Sequence, residues 1–253
     1  MNHETKTDSA REPSPSIDDL IKNVSLEAHD QQFSQKHFDA MSEIDRAATK
    51  DEMMPSEIMN IIGVVVGIKP SAILNYSAQL SSQIRDLGLN YHVLTDLEGN
   101  DALTISRSEL LAKKLAESFQ ELWSRDRNDR SAVHRDIGKM LGYPETSTDY
   151  FLERLVTLDG PLESRLPAII PHEFESGAGH EFCQLIFSPD HWREELEDYL
   201  APLELATRRL APKSYRCFER EARRSKVASC CRKLIRKPEQ SSYGPGVVTL
   251  SVK

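Results

Sequence analysis

His172, His180, Cys183 and His191 lie within one stretch of twenty residues. Imidazole and thiolate both suit zinc, and four such ligands would close a tetrahedron. A metal-assisted enzyme built on them would take Glu173 or Glu181 as its base. The spacing H-x7-H-x2-C-x7-H matches no standard zinc motif. His172-Glu173 is not HExxH, because position 176 is Ser. His180-Glu181 is not the HxE of zinc deaminases. His191 falls in the first turn of an expected helix, where the positive end of the dipole disfavours a cation. Surface or partly buried histidines are the competing reading. A Cys183–His180 ion pair would need two side chains that an extended segment sends to opposite faces.

Thr146, Ser147 and Thr148 follow the corner Gly142-Tyr143-Pro144. Glycine can close a helix in the left-handed region and proline forbids its continuation. The three hydroxyls then open a second helix, where free amides attract a small phosphate or carboxylate. Capping alone accounts for the same residues.

The third cluster is electrostatic. Residues 208–237 hold twelve basic side chains against two acids, a segment charge of +10; the net charge of −8 therefore leaves −18 on the remainder. Arg216, Arg220, Arg223, Arg224, Arg232 and Lys233 are interleaved with Tyr215, Phe218, Val227, Leu234 and Ile235. A helix with one buried stripe and a cationic face against nucleic acid or an acidic partner fits this pattern. A helix docked on the chain's own acidic body fits it equally.

Several chemistries are excluded. His134-Arg135-Asp136 has Leu141 where a kinase catalytic loop needs Asn. The patterns GxxxxGK[ST], GxGxxG and GxSxG do not occur. The apolar run Ile61–Ile68, ended by Lys69-Pro70, is far short of the about 20 residues of a membrane span and reads as a buried helix. The first sixteen residues have no apolar core of a secretory signal. The cysteines at 183, 217, 230 and 231 form no CxxC pair. Reduced thiols in a cytoplasmic protein are the expectation.

These clusters need elements to hold them. Residues 1–16 are polar and proline-bearing and read as a disordered tail. Periodicity predicts helices over 17–28, 33–48, 56–66 and 72–87, the last with Ile73, Tyr76, Leu80, Ile84 and Leu87 on one face. Residues 90–95 and 102–105 read as a β-hairpin. Ser106 to Glu109 fits a capping box before a helix to Trp123. Further helices are expected over 131–141, 145–158 and from Ser188 to Leu200, with short strands at 168–170 and 183–187.

The run Ile137-Gly138-Lys139-Met140-Leu141-Gly142-Tyr143-Pro144-Glu145, followed by Phe151, resembles a largely archaeal family known only as a domain of unknown function, with an I-G-x-x-L-G-Y-P-x-C-C core. The segments Gly63–Pro70 and Ile105–Ser108 are similar too, and the likeness spans roughly residues 54–200. The family's paired cysteines fall on Thr146 and Ser147, and a later cysteine-bearing segment falls near 187–191, which has none. The resemblance implies that any cysteine site of that family is lost here or rebuilt with histidines. It implies no activity.

The expectation is an α+β protein, predominantly α-helical, with a small β-hairpin or short sheet. Its organisation is a tail over 1–16, a globular domain over 17–200, a basic helical extension over 201–237 and a flexible tail over 238–253. The leading function is non-enzymatic binding through the basic helix. The alternatives are a zinc-assisted enzyme at 172–191 and small-anion binding at 145–148.

Overall fold

The computed structural model describes residues 15–30, 35–48, 55–124, 130–157, 188, 190–217 and 219–220. The expected tails, the strands at 168–170 and 183–187, and the extension beyond 220 lie outside the described residues, apart from positions 15 and 16.

The protein is predominantly helical with a small antiparallel sheet. Helix α1 (Ile17–Asp30) starts behind Ser16, whose hydroxyl accepts from the Asp19 amide at 3.1 Å and donates to the Asp19 carboxylate at 2.6 Å. The Ser16 hydroxyl and the Ser16 backbone amide, both donating to that carboxylate, hold it below its usual range. Helix α2 (Gln35–Ala48) buries Ala40, Met41 and Ile44. Helix α3 (Pro55–Val65) is the central element. Ile58, Ile61, Ile62, Val64 and Val65 are all 2% exposed or less, each contributing about 1.5–3 kcal/mol of burial.

The chain after α3 differs from the expected helix. Strand β1 (Ser71–Asn75) comes first, then Ser77 caps a shorter helix, α4 (Ala78–Asp86), accepting from the Leu80 amide at 3.0 Å. The three-four spacing through Ile73 and Tyr76 was coincidental. Tyr76 is exposed, whereas Ala72 and Leu74, two apart, are buried, the period of a strand. Strands β2 (Asn90–Thr95) and β3 (Asp101–Ser106) form the expected hairpin. Its turn is tied by Asp96, which accepts from the amides of Glu98 and Asn100. The order is β1-β3-β2, with Ser71 opposite Ser106 and Asn75 opposite Ala102.

Helix α5 (Glu109–Ser124) lies over β2 and β3. Its cap is Ser108, which accepts from the Leu111 amide at 3.3 Å. Ser106, expected in that role, ends β3 and donates instead to the Pro70 carbonyl at 2.8 Å. Helix α6 (Ser131–Met140) packs on α5, and α7 (Glu145–Thr157) packs on α6.

The last described segment begins with a short helix, α8 (Trp192–Glu195). It passes through a π-helical turn over Leu196–Leu200 and continues as α9 (Ala201–Leu210). Leu203 and Thr207 of α9 are buried, α9 packs on α3, and Ala211 joins the main core cluster. Residues 212–217 and 219–220 are helical again.

Candidate functional site

The α6–α7 corner forms as its residues dictate. Gly142 sits at φ +73, and a Cβ there would lie 2.7 Å from Pro70 Cδ. Its amide and that of Tyr143 close α6 onto the Lys139 and Gly138 carbonyls, which satisfies the helix end. The Ser71 hydroxyl takes the Met140 carbonyl at 2.5 Å. The corner is thereby keyed into the turn before β1.

The three hydroxyls behind the corner turn inward. Thr146 donates to Glu195 Oε1 at 2.5 Å, and Glu195 Oε2 accepts from the Ser188 amide at 2.9 Å. Glu195 is 3% exposed. Its carboxylate supplies negative charge at the start of α7, where the sequence offered a small free anion as an alternative to capping. Thr148 donates to the Pro144 carbonyl at 3.1 Å. Ser147 is buried, and its hydroxyl has no hydrogen-bond partner. Beside them is an open cleft of about 170 Å³ lined by Pro144, Thr146, His191, Glu194, Glu195 and Asp198. Three carboxylates repel an incoming anion.

His191 is exposed, and its Nδ1 lies 3.0 Å from Glu194 Oε2. His172, His180 and Cys183 lie outside the described residues. Among the described residues no group of three or more His, Cys, Asp or Glu side chains could hold a metal ion. His134, of the kinase-like tripeptide, stacks edge-on against Phe151 at 5.5 Å. Burial, with Arg130 nearby, pushes its pKa down, as for a core-facing imidazole.

Sequence reasoning missed a buried cation. Lys69 appeared only as a helix stop, yet it is 2% exposed. Its side chain crosses Gly63, where a Cβ would lie 2.7 Å from Lys69 Cδ. The amine donates to Tyr199 Oη at 3.1 Å and stands 4.9 Å from the Tyr143 ring centroid. The two tyrosine rings meet edge-to-face at 6.3 Å. Cation–π attraction and a hydroxyl acceptor offset the loss of water around the ammonium. The π-helical turn presents Tyr199, so this contact pins the segment leading into α9 to the corner. The available signal was Gly63 inside an apolar helix, which marks a close approach.

The C-terminal helices have the opposite character. Arg208, Arg209, Lys213, Arg216 and Arg220 are all exposed. Among the described residues, none of these five has a carboxylate within salt-bridge distance, in contrast to Arg135, which pairs with Asp149 at 2.6 Å. Arg208 stands 5.9 Å from the Tyr215 ring, and Arg216 Nε donates to the Pro212 carbonyl. Their mounting is internal. Asp45 of α2, 3% exposed, accepts from the amides of Lys213 and Ser214 at 3.1 and 2.8 Å and from the Ser214 hydroxyl at 2.5 Å. A carboxylate at a helix start satisfies free amides and suits the dipole. Tyr215 donates to Glu204 at 2.7 Å. Burial, reinforced by Glu204, pushes its pKa up to about 12. Of the six basic residues expected to contact a partner, Arg216 and Arg220 are placed at the surface; Arg223, Arg224, Arg232 and Lys233 lie outside the described residues.

No family model, curated protein or solved structure matches this chain. Among the described residues no helix is long and apolar enough to cross a membrane.

Proposed function

We propose that this is a non-enzymatic binding protein whose basic C-terminal helices contact a polyanion, either nucleic acid or an acidic protein. One observation carries the reading: five cations between 208 and 220 face solvent with no carboxylate within salt-bridge distance among the described residues, on a chain whose net charge is −8. A face left uncompensated on an acidic molecule attracts anions through a field the rest of the surface opposes. The inward-turned hydroxyls at 146–148 and the acid-lined cleft beside them favour no competing anion site.

The test is retention on immobilised heparin by the wild-type chain and by an Arg208→Glu/Arg216→Glu variant. Deleting the segment would remove Ala211 and Tyr215 from the core, so point substitutions are the sound probe. The reading expects the variant to elute at markedly lower salt with an unchanged melting temperature. Equal elution of the two proteins would defeat it.

A further inference from the structure

The geometry points to double-stranded nucleic acid, gripped by its phosphates without regard to sequence, as the ligand of the basic face. This rests on the polyanion-binding reading and adds the class of ligand.

Three observations separate a duplex from the other polyanions. The first is spacing. Lys213, Arg216 and Arg220, exposed and three and four residues apart on the helix after Ala211, span about 10 Å at the helical rise. A duplex strand presents one phosphate per about 3.4 Å of axis, so about three phosphates lie along the same length. The match is one cation per phosphate.

The second is what the face lacks. Single strands are held by bases stacked on exposed aromatic rings. Tyr199 and Tyr215 are 6% and 8% exposed and engaged inside the fold. Leu205 is the exposed large apolar side chain of α9. Among the described residues this surface offers charge and no stacking platform, which suits a ligand whose bases are already stacked.

The third is rigidity. Both helices are tied to the body by buried polar contacts, Tyr199 with Lys69 just ahead of α9 and Asp45 with Ser214 at the start of the next helix. A fixed row of cations loses less freedom on meeting a stiff, regular phosphate ladder than on meeting a flexible chain. The acidic body supplies like-charge repulsion elsewhere and confines contact to this row.

The experiment is fluorescence anisotropy of the full chain with a labelled duplex of about 20 base pairs and with one of its strands alone, across a salt series. It is paired with the Arg208→Glu/Arg216→Glu variant and its heparin elution. The inference expects the duplex to bind at least about tenfold tighter than the strand and to weaken by two to three orders of magnitude between about 50 and 200 mM salt. The variant should lose this binding. A strand bound as tightly as the duplex overturns the inference. So does binding of neither, and if the variant still loses heparin retention the polyanion reading survives that result. Unchanged heparin retention overturns both.

Discussion

The α6–α7 corner and the C-terminal helices are both rich in polar side chains, and they use them in opposite ways. At the corner the polar groups face inward. Thr146 holds Glu195, Thr148 holds the Pro144 carbonyl, and Lys69 holds Tyr199 beneath Tyr143. On the C-terminal helices the cations face water, and only a few anchors reach inside. Polar residue type alone therefore does not mark a site. What distinguishes a binding surface is whether its groups are already satisfied by the fold.

This contrast can be broken at several points. The largest effect is expected at Lys69→Ala. It removes a side chain packed over Gly63 and one donor to the buried Tyr199 hydroxyl, a loss of about 3–5 kcal/mol of stability in denaturant titration. A loss below about 1 kcal/mol would mean that Lys69 is not the pin described here. Asp45→Ala comes next and acts on the mounting of the C-terminal helices. Two amides and a hydroxyl lose a carboxylate acceptor, so about 2–4 kcal/mol of stability is expected to go, together with weaker polyanion binding. Unaltered binding in a folded Asp45→Ala protein would show that the anchor does not position the cations.

Smaller effects sharpen the contrast. The Tyr215 pKa is raised in the folded state from about 10 to about 12. The folded protein therefore holds that proton more tightly than the unfolded chain, and its stabilising contribution is full below pH 10 and lost as pH rises toward 12. Melting temperature is expected to fall across that window, and less so in Tyr215→Phe. The smallest effect on stability belongs to Arg208→Glu/Arg216→Glu, within about 0.5 kcal/mol, although this variant loses the most binding.

Much of the architecture was legible in the sequence. The apolar faces of α2, α5 and α6, the glycine stop at 142 and the turn of the β2–β3 hairpin all act locally. What escaped depends on partners distant in sequence. Strand β1 is five residues whose pairing comes from β3, and their spacing imitated a helix. Asp45 reaches an amide 169 positions later. Lys69 meets a tyrosine 130 positions away, and nothing near it predicts a buried ammonium. The cationic segment was visible from charge counting alone. That its first helix is packed on α3, with its charges turned outward, was not.

The measurement closest to the central claim is the slope of log affinity against log salt for duplex binding, in wild type and in Arg208→Gln/Arg216→Gln/Arg220→Gln. If these three guanidinium groups meet phosphates, the slope is shallower in the variant by about 0.9 per lost contact, close to 3 in all, with an unchanged melting temperature. An identical slope in the two proteins would contradict an exposed, phosphate-facing row of cations.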